Sequence, residues 1–115
     1  MVRIAPSILS GNFLNLEPDI RMVNKNADLI HIDVMDGSFV PNISFGFPVV
    51  EAIAKAVTVP MDVHLMIVNP DKYVERFAKT GAEMISFHLE AADQAGKDPR
   101  DIIAQIKSFG VKAGL

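Results

Sequence analysis

Two short segments in which apolar and polar residues alternate place the strongest constraint on what this chain can fold into. The segments are residues 29–35 and 61–66. Successive side chains of a β-strand point to opposite faces, so each segment is predicted to bury one apolar face and to present one polar face. The residues on the polar faces are His31, Asp33 and Met35 in the first segment and Asp62, His64 and Met66 in the second.

The polar faces of these segments direct two imidazoles and two carboxylates toward the same interior. Burying such groups costs free energy unless they are paired with each other or bound to a metal ion. A bound divalent cation is the most economical interpretation of the pattern.

Length and composition indicate one domain, residues 1–115, with half of its residues apolar. Cysteine is absent, which excludes disulfides and thiolate metal sites. The net charge of −3 comes from interspersed acids and bases, whereas a nucleic-acid-binding surface would require a basic face. Neither a membrane-spanning stretch nor a signal-peptide pattern occurs, so we expect a cytoplasmic protein without membrane or nucleic-acid partners.

Strand and helix patterns alternate along the whole chain. Strands are predicted at residues 4–9, 29–35, 61–66, 84–88 and 111–115, and helices at 16–25, 48–57, 70–80 and 99–109. Asn69-Pro70 and Asp98-Pro99 each place a capping residue before a proline suited to the first helical position.

This alternation predicts an α/β fold in which a parallel sheet is covered by helices and joined by right-handed crossovers. The predicted strands 4–9 and 84–88 add Ser7, Ser86 and His88 to the polar face. An open, doubly wound sheet would have apolar residues on both faces. Polar residues on one face of several consecutive strands favour a barrel interior near its C-terminal mouth.

Several motifs of this chain, in this order, resemble the ribulose-phosphate 3-epimerase family. The matching motifs are Ala5-Pro6-Ser7-Ile8-Leu9-Ser10, His31-Ile32-Asp33-Val34-Met35-Asp36-Gly37, Phe39-Val40-Pro41-Asn42 with Gly46, Asp62-Val63-His64-Leu65-Met66 and Phe87-His88. Decarboxylases and synthases of the same barrel group carry Asp-x-Lys where this chain has Asp62-Val63-His64.

The resemblance implies a TIM (β/α)8 barrel, of which this chain would supply a half-barrel: the first four βα units and strand five. It also implies an isomerase that inverts C3 to interconvert ribulose 5-phosphate and xylulose 5-phosphate through a cis-enediolate. A hexulose-phosphate (allulose 6-phosphate) 3-epimerase is the close alternative, and a non-catalytic, self-associating half-barrel is the alternative of another class.

The resemblance further implies roles for individual residues. The implied metal ligands are His31, Asp33 and His64, and Asp33 is also the implied acid/base. The implied contacts to the sugar phosphate substrate are Ser7, His64, Met35, Met66 and His88. The ion is one divalent metal: two imidazoles and carboxylates suit Zn²⁺ first, and also Fe²⁺, Mn²⁺ or Co²⁺.

By the same resemblance, the second acid/base aspartate and the phosphate-binding loops belong to the part of the barrel after residue 115. We therefore expect residues 1–115 alone to be inactive or nearly so. The edges of the half-barrel would be open, and unpaired strand edges promote association, so we also expect a homo-oligomer.

Overall fold

The computed structural model describes residues 1–115 as a single parallel sheet with helices along one side. The four strands are β1 Ile30–Met35, β2 Met61–Met66, β3 Met84–Phe87 and β4 Lys112–Gly114. The five α-helices are α1 Glu17–Asn26, α2 Phe47–Ala56, α3 Val74–Lys79, α4 Leu89–Gln94 and α5 Pro99–Ser108. Short 3₁₀ helices cover Ile8–Ser10 and Pro70–Lys72. None of the helices has the length and hydropathy that crossing a membrane requires.

The strands lie side by side in chain order, β1-β2-β3-β4, and every pair is parallel, as predicted. The register forms one row across the sheet, in which Asp33 pairs with His64, His64 with Ser86, and Ser86 with Gly114. Because paired residues point to the same face, residues distant in the chain are brought together on one surface.

The apolar face of the sheet forms the core together with the helices. Along β1 and β2 the burial alternates residue by residue, as the sequence pattern predicts. Five residues of this face have no exposed surface: Ile30, Ile32, Val63, Leu65 and Ile85. Four helices add buried residues three or four positions apart, such as Val50 with Ile53 in α2 and Ile102 with Ile106 in α5, whereas α4 buries the adjacent Ala91 and Ala92. Burying one such side chain stabilises the fold by about 1.5–3 kcal/mol.

The strand predicted at residues 4–9 is wrong. Ser7 makes only a single parallel bridge with His31, and the chain then turns into the 3₁₀ helix Ile8–Ser10. The Ser7 hydroxyl accepts the amide of Leu9 at 3.2 Å and so begins this turn instead of continuing a strand. Residues 4–7 still follow the edge of β1, where Pro6 accepts the amide of His31 at 2.9 Å.

The two predicted helix caps have different outcomes. Asp98 accepts the amide of Arg100 at 2.9 Å and caps α5, as predicted. The capping prediction for Asn69 is wrong, because this residue is left-handed, with φ of 50°, and its side chain caps nothing. The predicted helix 70–80 is observed as two elements, the 3₁₀ helix Pro70–Lys72 and the short α3.

Helix α4, Leu89–Gln94, has no counterpart among the predicted elements. Its first residue follows His88, whose side chain makes no capping hydrogen bond, so the sequence carries no start signal there. The remaining predicted helices and strands lie within a few residues of their observed bounds.

Candidate metal centre and active site

Three side chains on the polar face of the sheet converge on one point. Atoms of His31, Asp33 and His64 that can bind a metal all lie within 4.8 Å of one another. Asp33 Oδ1 is 3.1 Å from His31 Nε2 and 3.1 Å from His64 Nδ1. The three side chains are 14–27 % exposed, so they are shielded but open to a small ligand. The structure brings together the three side chains that the family resemblance implies as metal ligands.

The spacing of this cluster fits a single metal ion. Donors bound to one ion at about 2.1 Å lie roughly 3.0–3.4 Å apart in octahedral or tetrahedral geometry. The separations of 3.1 Å between the Asp33 carboxylate and each imidazole fall in this range. Two imidazoles and one carboxylate are also a donor set that binds divalent transition metals in many proteins.

Asp62 orients His31 from the neighbouring strand. Its Oδ2 lies 2.9 Å from His31 Nδ1, so a proton on Nδ1 leaves Nε2 facing the cluster with its lone pair free. This hydrogen bond raises the pKa of His31 above its ordinary value of 6.5; burial opposes the effect, and the charges of Asp33 and Asp62 add to it. A carboxylate behind the imidazole is the usual support for a metal-binding histidine.

Asp33 is held ionised by its neighbours. Burial alone would raise its pKa, but the hydrogen bond from the Ser7 hydroxyl to Oδ2 and the nearby His31 and His64 outweigh burial and lower the pKa below 3.8. The carboxylate therefore carries its charge at neutral pH, as both a metal ligand and a proton acceptor require.

His88 contacts the cluster through His64. The two Nε2 atoms are 2.7 Å apart, and the rings stack with centroids 5.0 Å apart. If His64 Nδ1 presents a lone pair to an ion, its Nε2 carries the proton and donates it to His88 Nε2. The sequence places His88 on the same face but gives no sign of this direct link.

Met35 and Met66 occupy the last positions of β1 and β2, where they are paired in the register and half-buried. Ser7 lies on the other side of the cluster, at the bridge to His31. Met35, Met66 and His88 thus lie at the carboxyl ends of β1, β2 and β3, where ligands of parallel α/β folds bind. Ser7 and His64 both contact Asp33 on the same face.

The connection from residue 36 to 46 folds over the end of β1. The Asp36 carboxylate accepts the amides of Ser38 at 2.9 Å, Phe39 at 2.8 Å and Val68 at 2.8 Å. Gly37 has φ of 75°, and a Cβ there would lie 2.6 Å from Ile43. This connection is therefore a tightly turned structure that is fastened to the end of β2.

A cavity of about 340 Å³ lies near the same connection but does not contain the metal-ligand cluster. Its walls are mostly apolar and include Val34, Phe45, Phe47, Ile67 and Phe77. Val34 and Phe77 belong to the buried core, and Met35 and Asp36 also line the cavity, so it lies at the end of β1, between the core and the connection.

Comparison with known proteins supports the motif-based resemblance. The model of the ribulose-phosphate 3 epimerase family matches residues 3–115. The ribulose-phosphate 3-epimerase of Bacillus subtilis is 50% identical, across 100% of this chain and 52% of its own length. The Synechocystis enzyme of the same name is 50% identical over 96% of this chain and 48% of its own. The cytoplasmic isoform of Oryza sativa is 42% identical over 98% of this chain and 49% of its own.

The chain spans about half the length of these relatives. Four parallel strands with alternating helices are the corresponding half of a TIM-barrel fold, as predicted. The match over residues 3–115 and the identities of 42–50% show that the chain belongs to the ribulose-phosphate 3-epimerase family.

Proposed function

We propose that the protein carrying this chain is a metal-dependent epimerase that interconverts ribulose 5-phosphate and xylulose 5-phosphate by inverting C3. The observation that carries the proposal is the cluster of His31, Asp33 and His64 on two adjacent strands, in a chain of this family. Relatives at 42–50% identity are named ribulose-phosphate 3-epimerases.

Asp33 is proposed as one acid/base of the reaction. The proton on C3 is acidified by the neighbouring C2 ketone, and its removal gives a cis-enediolate. An ionised carboxylate in a partly shielded site can accept that proton, and Ser7 fixes the direction of its second oxygen. A divalent metal bound in the cluster would stabilise the negative charge that develops on the substrate oxygens.

His31 and His64 are proposed to hold the ion with Asp33, while Asp62 and His88 hold the two imidazoles from behind. Each imidazole then uses one nitrogen for the ion and the other for a hydrogen bond, which fixes its tautomer. Zn²⁺ is our first expectation for this donor set; Fe²⁺, Mn²⁺ and Co²⁺ are compatible with it as well.

Substrate contacts are proposed for Ser7, His64, Met35, Met66 and His88. The methionine pair at the strand ends would offer a soft, polarizable surface to a planar anion without adding another charge. His88 lies next to both His64 and Phe39, with ring centroids 5.0 and 5.1 Å away, and its side chain stays partly exposed, so it would be accessible to the substrate.

The pentulose phosphate is favoured over a hexulose phosphate by the names of the relatives, all of which specify ribulose phosphate. A comparison of kcat/KM for ribulose 5-phosphate and allulose 6-phosphate in the full-length protein tests this choice. Higher kcat/KM for the hexulose phosphate would replace the proposed substrate by its close alternative.

Residues 1–115 by themselves are proposed to lack turnover. Inversion requires a proton to be returned to the face opposite Asp33, and Asp62, the other carboxylate of the patch, is engaged by His31. Self-association of this segment stays a prediction, which size-exclusion chromatography would contradict by showing a monodisperse monomer. The cytoplasmic location expected from the composition also stays a prediction.

The decisive experiment measures conversion of ribulose 5-phosphate by the full-length protein before and after metal removal. We expect activity to disappear on dialysis against a chelator and to return on addition of Zn²⁺ or Co²⁺. A protein that converts no sugar phosphate with any of the four metals, or that keeps full activity without metal, would overturn the proposal.

A further inference from the structure

Ser44 holds the backbone at the end of β1 by three hydrogen bonds. Its hydroxyl donates to the carbonyl of Asp33 at 2.7 Å and accepts the amide of Met35 at 2.9 Å. Its own amide donates to the carbonyl of Met35 at 3.2 Å. A residue eleven positions along the chain thus attaches to the backbone that immediately follows the Asp33 carboxylate.

This attachment replaces a missing strand. Peptide groups two residues apart on a strand face the same edge, and His31 uses that edge to donate to Pro6. The edge next to residues 4–7 has no partner beyond the Ser7 bridge, because the chain leaves there in a 3₁₀ turn. Without the Ser44 hydroxyl, the carbonyl of Asp33 and the amide of Met35 on this edge would be left unpaired, which is costly for partly buried backbone.

The connection 36–46 is built to deliver Ser44 to this place. Asp36 and Ile43 form an antiparallel bridge that closes the loop immediately before Ser44. The Asp36 carboxylate accepts the amide of Phe39 within the loop and the amide of Val68, which follows β2. Ser44 is therefore held by a loop that is closed by its own contacts and attached to the segment after β2.

We propose that Ser44 is a positioning residue for the metal centre and for proton transfer by Asp33, an inference that rests on the proposed function. Its hydroxyl bridges residues 33 and 35 and so fixes the backbone that aims the Asp33 carboxylate at His31 and His64. The two separations of 3.1 Å in the cluster depend on that direction. Misplacement of a reacting group by about 1 Å can cost roughly 100-fold in rate.

Only a hydroxyl performs both tasks of this side chain, since it donates one hydrogen bond and accepts another. Ser44→Ala removes both, whereas Ser44→Thr keeps them. Ser38→Ala is the matched control, because Ser38 belongs to the same loop, is exposed, and uses only its backbone amide.

The experiment compares these three variants with wild type in the full-length protein. The readouts are Co²⁺ affinity by visible absorption, kcat and KM at saturating metal, and the urea midpoint. We expect Ser44→Ala to weaken Co²⁺ binding by about 10-fold, as outer partners of metal ligands do. We expect kcat to fall by about 10-fold or more while KM changes little. Ser44→Thr should restore both, and Ser38→Ala should match wild type.

The outcomes separate this inference from the proposed function. Ser44→Ala with wild-type Co²⁺ affinity and kcat overturns the role of Ser44 and leaves the epimerase proposal intact, as does a loss confined to the urea midpoint. A wild-type protein that binds Co²⁺ but converts no sugar phosphate overturns the epimerase proposal, and Co²⁺ affinity still tests Ser44. A wild-type protein that does neither overturns both.

Discussion

The two faces of the sheet are made from the same strands, yet they differ in almost every physical respect. On one face, residues such as Ile32, Val63 and Ile85 have no exposed surface and belong to one cluster of buried apolar side chains. On the other face, Asp33 and His64 stay partly exposed and make directional hydrogen bonds. Adjacent residues of one strand can therefore contribute separately to stability and to catalysis. A substitution on the apolar face should mainly change stability, and one on the polar face should mainly change activity.

The difference also lies in how tolerant each face is of change. Burial is non-directional and spread over 21 core residues, so the apolar face can absorb substitutions that preserve volume. The polar face relies on a few atoms at defined separations, and a shift of one carboxylate disturbs all of its partners. We expect the largest effects of single substitutions on activity to come from the polar face and the largest effects on stability from the apolar one.

The strongest expected effect is that of Asp33→Asn in the full-length protein. The amide cannot accept the C3 proton and is a poor metal ligand, so turnover should fall by roughly 100- to 10,000-fold, the usual contribution of general acid–base catalysis. NMR measurement of deuterium incorporation at C3 in D₂O checks the proton-transfer step directly.

The matched control for Asp33→Asn is Asp93→Asn, which removes one carboxylate from an exposed helical position. It should leave both turnover and exchange at the wild-type level. If Asp33→Asn still exchanged the C3 proton for deuterium, Asp33 would not be the acid/base, and the assignment of catalysis to the polar face would be contradicted.

A complementary substitution on the opposite face is Ile85→Ala. Ile85 is completely buried in β3, and truncation of such a side chain costs about 2–5 kcal/mol through lost burial and the cavity that remains. Urea unfolding should show this loss, while Co²⁺ affinity per folded molecule stays at the wild-type value. A variant that unfolds like wild type, or that loses Co²⁺ affinity while folded, would show that the two faces are not independent.

The comparison also explains how much could be predicted from the sequence. The alternation of apolar and polar residues predicted β1 and β2 and the face to which each of their side chains points. A strand shifted by one residue would expose its whole apolar face. Because the two strands are neighbours and these side chains point to the same face, the sequence predicted that His31, Asp33 and His64 lie close together. The family could be recognised from motifs because those motifs contain the same residues.

Features that depend on tertiary contacts were not predictable in this way. Residues 4–9 read as a strand because they are mostly apolar, but the Ser7 hydroxyl turns the chain after one bridge. Ser44 lies in a polar loop, and its bonds to Asp33 and Met35 arise only from the folding of that loop. The contact between His64 and His88 depends on ring orientations that a sequence pattern does not specify.

A smaller effect is expected for Asp62→Asn, which lies on the polar face but acts behind a ligand. The amide can still accept a hydrogen bond from His31, so the ring stays in place, but the negative charge that strengthens it as a ligand is lost. Co²⁺ affinity should fall by about 10- to 100-fold, as for other partners of metal-binding histidines. Unchanged affinity would show that the orientation of His31 does not depend on Asp62.

The smallest expected effect is a pH dependence that distinguishes the faces in the metal-free protein. The pKa of His31 is raised above 6.5 in the folded state, chiefly by its hydrogen bond to Asp62. A raised pKa means that the protonated imidazole stabilises the fold fully below 6.5 and that this contribution is lost as the pH rises through the folded-state pKa. The pKa of Asp33 is lowered, so its contribution is lost only as the pH falls below 3.8 and through the folded-state value.

Urea unfolding in the presence of a chelator should therefore show that wild type is more stable than Asp62→Asn in mild acid. The difference in free energy of unfolding between the two proteins should narrow as the pH is raised. For Ile85→Ala, the difference from wild type in free energy of unfolding should be nearly constant over the same pH range, because no titrating group is removed. A difference between wild type and Asp62→Asn that widens as the pH rises would mean that His31 is held neutral. The ion pair of His31 and Asp62 would then not be what stabilises the polar face.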